Sequence, residues 1–159
     1  MASLSSIHIY IAIRNENERS QMEDQLVLDG ANVSSFKSAQ ELWKCFQERP
    51  VRFIISDRKF GGEFDGLALT REIRKNFRLP YIYILVRTAM GQVKEIREGL
   101  ATGVDDYLVK PHNPYQIRSR VLVGMRWLTY IDSLTVNTKK APAAAQKAVQ
   151  SFTPQSSSK

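Results

Sequence analysis

The chain has 159 residues, 43% of them hydrophobic, and a formal net charge of +7. This length predicts about one domain with an appendage, and a single cysteine excludes an internal disulfide framework. The sequence shows no secretory signal, and no segment approaches the roughly 20 apolar residues that span a bilayer, so we expect a cytoplasmic protein without membrane contact.

The positive charge is unevenly distributed. Residues 1–134 hold 19 Lys or Arg and 16 Asp or Glu, a balance of +3, whereas residues 135–159 hold four Lys and no acid. We therefore predict a domain over residues 1–134 and a disordered basic tail over 135–159. Nucleic-acid binding through this tail is an alternative function, and it is disfavoured because the tail lacks interleaved aromatic residues.

Apolar runs alternate with helical patterns along the whole of the predicted domain. The predicted strands are 7–13, 31–36, 51–57, 81–86 and 106–109. The predicted helices are 19–28, a segment between Ser38 and Pro50, 64–77, 92–100 and a long last helix that opens at Pro114. Strands separated by helices imply right-handed βαβ units and a parallel sheet. The predicted fold is therefore α/β, a flavodoxin-like doubly wound sheet of five parallel strands with five helices.

The third strand, residues 51–57, is the centre of this prediction. It is rich in Val and Ile, as strands buried on both faces are, and it stops on the carboxylate of Asp57. An acid at the carboxyl edge of a buried parallel strand lies where open α/β sheets place their functional residues. A plain strand-end or turn role for Asp57 is the alternative.

Two further polar residues follow neighbouring strands. Thr88 comes just after the fourth strand and Lys110 just after the fifth, so both should converge on Asp57 at one edge of the sheet. A carboxylate nucleophile, a hydroxyl donor and a cation together suit a phosphoryl-acceptor site. The alternative is structural, with Lys110 pairing with Asp57 and Thr88 capping a helix.

The stretch Gly99-Leu100-Ala101-Thr102-Gly103-Val104-Asp105-Asp106-Tyr107-Leu108-Val109-Lys110-Pro111 resembles the carboxyl half of response-regulator receiver domains. Ile55-Ser56-Asp57, Asp65-Gly66 and Thr88-Ala89 also match the family, and the resemblance spans about residues 7–130. It implies that Asp57 accepts a phosphoryl group from a histidine kinase or phosphotransfer protein and that Lys110 contacts that group. It also implies a cis bond from Lys110 to Pro111, a switch hydroxyl on Thr88 and an aromatic switch at Tyr107. A half-buried edge-strand aromatic is the alternative for Tyr107.

The sequence departs from the family at its metal site. Receiver domains carry two adjacent acids after the first strand that bind Mg²⁺ together with the phospho-acceptor. The equivalent positions here are Ile13 and Arg14, or Arg14 and Asn15 if the match is moved by one residue, and neither choice offers two acids. Because Mg²⁺ depends on carboxylate oxygens, this exchange makes an Mg²⁺ cofactor doubtful and leaves Asp57 as a weak ligand. Glu16 and Glu18 lie nearby, but we expect them to reach the site only if the loop is rearranged. Arg14 is expected either to pair with Asp57 or to point to solvent.

The last helix continues its apolar stripe past the length needed to cover the sheet, which predicts a contact surface. We expect a homodimer or a neighbouring output domain there, with Asp106, Arg120, Trp127 and Ile131 at the interface. Intrachain packing of Trp127 is the alternative.

The resulting hypothesis is a stand-alone receiver module that switches a downstream protein partner and is not an enzyme. Phosphorylation at Asp57 competes with a pseudo-receiver mechanism, and the missing acid pair favours the second. A small flavodoxin-like enzyme with Asp57 as nucleophile would need a second acid to activate water, and none is predicted beside it.

Overall fold

The structure, a computed structural model, describes residues 4–89 and 91–139, without the side chains of 137–139. Strands and helices alternate throughout these residues. In chain order they are β1 (His8–Ala12), α1 (Glu16–Leu28), β2 (Asn32–Phe36), α2 (Ala39–Glu48), β3 (Phe53–Asp57), α3 (Gly66–Asn76), β4 (Tyr83–Thr88), α4 (Val93–Thr102), β5 (Asp106–Val109) and α5 (Pro114–Lys139).

The five strands form one parallel sheet in the order β2-β1-β3-β4-β5. This order confirms the predicted flavodoxin-like fold. The strand order reverses between β1 and β3, and doubly wound sheets bind their ligands at the carboxyl ends of the strands beside this point. Asp57 ends β3 and therefore lies at that position.

Helices cover both faces of the sheet. Successive side chains along a strand point to opposite faces, so the position of a residue in its strand decides the face on which it lies. One core cluster packs the sheet against α1 and α5, and it includes Tyr83 and Leu85 of β4. The other cluster packs the sheet against α2, α3 and α4, and it includes Ile84 and Val86. The same alternation directs Arg87 towards the α1 side and Thr88 towards the α4 side.

Two of the element boundaries that differ from the prediction affect the site. Helix α1 begins at Glu16, three residues earlier than predicted, because the Asn15 side chain caps it by accepting a hydrogen bond from the Glu18 amide. Strand β4 ends at Thr88, two residues later than predicted. These shifts place Glu18 in the first turn of a helix and Arg87 inside a buried strand.

Helix α5 reaches Lys139 and thus passes the predicted domain boundary at residue 134. Leu128 is its last buried residue among those described, and the helix is then tied to the start of β3 by Arg52, whose guanidinium binds both Asp132 oxygens at 2.8 and 3.0 Å. The rest of the predicted tail, residues 140–159, lies outside the described residues. No helix in the described part of the chain is long and apolar enough to cross a membrane.

Candidate functional site

The structure brings together the three polar residues that the sequence predicted at the sheet edge. Asp57 is 3% exposed, and the Nζ atom of Lys110 lies 3.5 Å from its Oδ1. Thr88 lines the same cavity of about 120 Å³. The other carboxylate oxygen, Oδ2, accepts a hydrogen bond of 3.0 Å from the backbone N–H of Arg14. The bond from Lys110 to Pro111 is cis, which confirms that expectation.

Arg87 is the main residue that the sequence analysis missed. It is only 2% exposed, and it stands directly opposite Asp57 in the pairing of β3 with β4. Because residues opposite each other in a sheet share a face, the guanidinium lies against the carboxylate, with Nε 3.4 Å from Oδ1. If the predicted fourth strand is extended beyond Val86, the alternation of its side chains places this arginine on the same face as Tyr83 and Leu85.

Glu18 also belongs to the site, which corrects the expectation that it could not reach without a rearranged loop. Its Oε2 lies 2.5 Å from Nη2 of Arg87 and 3.4 Å from Nζ of Lys110. Partial burial alone would raise the pKa of Glu18, but the hydrogen bond from Arg87 and the charge of Lys110 lower it below its ordinary value. Asn15 followed three residues later by Glu18 is a helix-start signal that could have indicated this position.

The residues at the positions of the missing acids have other roles. Ile13 is fully buried in the core cluster beneath α1 and α5. The side chain of Arg14 is exposed and lies over Gly61, where a Cβ would stand 3.1 Å from its Nη1. Arg14 therefore meets Asp57 through its backbone, and the guanidinium that pairs with the carboxylate belongs to Arg87. Glu16 is exposed.

These residues do not fit Mg²⁺. The two carboxylates, Asp57 and Glu18, are both engaged by the same two cations, Arg87 and Lys110, so the four charges sum to zero. No group of three or more His, Cys, Asp or Glu side chains that could hold a metal ion occurs among the described residues. Mg²⁺ prefers octahedral oxygen ligands, and a buried guanidinium beside Asp57 repels it.

Tyr107, the predicted switch aromatic, is turned inward. It is 7% exposed, and its hydroxyl donates to the backbone carbonyl of Glu95 at 3.3 Å. The Thr88 hydroxyl lies 3.4 Å from the carboxylate of the same Glu95. The tyrosine ring fits because Gly99 has no side chain, since a Cβ there would lie only 1.6 Å from the tyrosine oxygen. Burial raises the pKa of the Tyr107 hydroxyl above its ordinary value.

His112 is expected to make the free energy of unfolding depend on pH. Burial, with the positive charge of Arg87 next, lowers the pKa of His112 below the ordinary value of 6.5, although Glu18 and Asp57 act in the opposite direction. The unfolded chain therefore binds the proton more readily, and the free energy of unfolding should fall as the pH drops below about 6.5. We expect His112→Asn to flatten this dependence between about pH 5 and 7 in urea unfolding. An equally steep dependence in the variant would contradict the assignment.

The four predicted interface residues lie on the α5 side of the sheet. Two of them pair with each other inside the chain, and the other two are exposed or partly exposed. Asp106 and Arg120, expected to bridge two subunits, pair with each other inside the chain at 3.0 Å. A bridge between subunits would have to replace that contact. Trp127 is 44% exposed and lies beside Tyr130, with ring centroids 6.2 Å apart, and Ile131 is partly exposed.

A doubly wound sheet with an acid, a hydroxyl and a lysine at its carboxyl edge defines the class of receiver-type signalling domains. The model of the response regulator receiver domain family matches residues 13–122. The chain belongs to this family and is a receiver domain of a two-component response regulator.

Several known proteins are similar to this chain in sequence or in fold. Protein PetR of Rhodobacter capsulatus is 34% identical over 126 residues, 79% of this chain and 52% of PetR. The probable transcriptional regulator ycf27 of Cyanidium caldarium is 32% identical over 114 residues, 72% of this chain and 44% of that protein. The chain thus spans about half the length of these curated relatives. The solved chemotaxis response regulator CheY4 of Vibrio cholerae has a TM-score of 0.69 at 21% identity, covering 74% of this chain and 98% of CheY4.

Proposed function

We propose that this receiver is a protein-interaction module that does not depend on Mg²⁺-assisted phosphorylation of Asp57. The observation that carries the proposal is the pocket itself, in which Ile13 and Arg14 replace the family's acid pair and the buried Arg87 lies against Asp57. A carboxylate that buried and half-buried cations already neutralise gains little from a metal ion. The inward Tyr107 beneath Gly99 further supports a module that presents one output surface without a phosphoryl signal.

The partners we propose are a histidine kinase or phosphotransfer protein on the input side and a protein on the output side, in the cytoplasm. We propose that this receiver has no enzymatic activity. A hydrolase with Asp57 as nucleophile needs a second carboxylate free to activate water. Glu18 is the carboxylate that shares its cations with Asp57, and it is held by Arg87 and Lys110.

Phosphorylation of Asp57 remains the second candidate mechanism, and one observation favours it. Oδ1 of Asp57 is buried and accepts no hydrogen bond from the described residues, while Lys110 stands 3.5 Å away. A carboxylate oxygen that accepts no hydrogen bond and lies beside an ammonium group is an arrangement that suits attack on phosphorus. This candidate and the first predict opposite results in a single assay.

That assay is incubation with acetyl phosphate in the presence and absence of Mg²⁺, followed by intact mass measurement. We expect no phosphoryl adduct on the wild-type protein in either condition, because the pocket lacks the acids that hold the metal. Asp57→Ala is the matched control. An adduct on the wild type, with or without Mg²⁺, that disappears in Asp57→Ala would show an active phospho-acceptor and defeat the proposal.

We also propose that α5 forms a homodimer through its exposed apolar side. Val123, Trp127 and Tyr130 are all exposed and follow one another at spacings of four and three residues, which places them on one side of the helix. We expect sedimentation equilibrium to give a dimer for the wild type and a monomer for Trp127→Ser. A wild-type monomer at high protein concentration, or a dimer unaffected by Trp127→Ser, would contradict this surface.

A further inference from the structure

We propose that the guanidinium of Arg87 is the resident cation of this pocket, standing where the family places a divalent metal ion, with Asp57 and Glu18 as its two carboxylate partners. The inference rests on the receiver assignment and deepens the proposed function, because it identifies what replaces the metal. Neither Arg87 nor Glu18 occupies a position of the family's acid pair.

The first argument is geometric. Arg87 reaches Asp57 of β3 through Nε at 3.4 Å and Glu18 of α1 through Nη2 at 2.5 Å. One cation therefore joins carboxylates from a strand and a helix that are far apart in the chain, as a bridging metal ion does. A guanidinium is suited to this because it is planar, permanently charged and offers donors on several sides.

The second argument concerns burial. Arg87 is 2% exposed and Asp57 is 3% exposed, so neither charge can be compensated by bulk water. Burying the charge of an arginine in a strand of apolar residues costs folding free energy unless an acid faces it, and here two acids do. The guanidinium is thus fixed in the pocket by two carboxylates, one of which, Asp57, is the residue that the family's metal ion would share.

The third argument concerns the hydrogen bonding of the Asp57 carboxylate. Oδ1 of Asp57 and Nε of Arg87 face each other, yet neither has a hydrogen-bond partner among the described residues. The contact is an ion pair with poor hydrogen-bond alignment, so Asp57 keeps an oxygen capable of binding a different cation. Removing Arg87 should therefore expose a site in which oxygens of Asp57 and Glu18, completed by water, bind a divalent ion.

The test is Mn²⁺ titration followed by electron paramagnetic resonance, with calorimetry as a second readout. We expect the wild type to bind Mn²⁺ only weakly at this pocket and Arg87→Met to bind it roughly tenfold or more tightly than the wild type, because the like charge is gone. Arg87→Lys is the matched control that keeps the charge, and it should behave as the wild type does. The double variant Arg87→Met/Glu18→Gln should lose the acquired affinity.

Circular dichroism establishes that each variant is folded, and Arg87→Gln serves as a polar replacement if Arg87→Met is not. The inference is overturned if wild type binds Mn²⁺ as tightly as Arg87→Met, if neither folded Arg87→Met nor folded Arg87→Gln gains affinity, or if Arg87→Lys binds as well as Arg87→Met. Phosphorylation of wild-type Asp57 without any metal ion would defeat the proposed function and leave this inference intact, so the two failures are distinguishable.

Discussion

Replacing Arg87 by methionine is expected to lower the free energy of unfolding by about 3 kcal/mol, the lower end of the range for breaking a buried ion pair. The substitution keeps much of the side-chain volume but leaves the carboxylate of Asp57, which is 3% exposed, without its closest cation. The loss falls at the lower end because Lys110 remains 3.5 Å from Oδ1. Urea unfolding followed by circular dichroism measures this quantity.

A double-mutant cycle with Asp57→Asn separates the ion pair from the general cost of altering the strand. If Arg87 and Asp57 stabilise each other, the second substitution should cost less in the Arg87→Met background, with a coupling energy of about 1–3 kcal/mol. Strictly additive effects would mean that Arg87 contributes through packing alone.

Replacing Gly99 by alanine is expected to expel the Tyr107 ring from its buried position. Gly99 lies inside α4, where a glycine-to-alanine change normally stabilises a helix by about 1 kcal/mol. Here the added Cβ would lie 1.6 Å from the tyrosine oxygen and 2.4 Å from Cζ, so both groups cannot occupy the space. Exposing a buried aromatic side chain costs about 1.5–3 kcal/mol, which outweighs the helix gain and should make the net change destabilising.

Removing the tyrosine provides the control for this prediction. In a Tyr107→Ala background the steric conflict is absent, and Gly99→Ala should then stabilise the domain by about 1 kcal/mol. Urea unfolding of the four proteins gives the energies, and NMR contacts from the Tyr107 ring to α4 report its position. Stabilisation by Gly99→Ala in both backgrounds would show that the ring does not lie beneath Gly99.

The sequence predicted the fold well because the fold depends on patterns that are local. Buried strands such as β3 appear in the sequence as apolar runs, and the helices between them show apolar residues at three- and four-residue spacings. Alternation of the two element types then leaves few arrangements of the sheet. The convergence of Asp57, Thr88 and Lys110 at one edge follows from that arrangement, since each stands at the carboxyl end of a parallel strand.

The charged residues around Asp57 were harder to predict than the fold, for identifiable reasons. Arg87 was missed because the fourth strand was ended at the last apolar residue, Val86, although the strand continues through a charged residue that two acids compensate. Glu18 is not predicted at the site because the predicted first helix begins only at residue 19, whereas Asn15 caps a helix that begins at Glu16. Arg14 was identified as the possible partner of Asp57, but sequence spacing does not show whether a loop residue presents its backbone or its side chain, and here it presents the backbone.

A crystal structure of the wild-type domain grown in excess Mg²⁺ tests the central claim most directly. We expect density for the Arg87 guanidinium between the carboxylates of Asp57 and Glu18, with no ion bound to either. An octahedrally coordinated ion on Asp57, with the arginine turned out of the pocket, would contradict it.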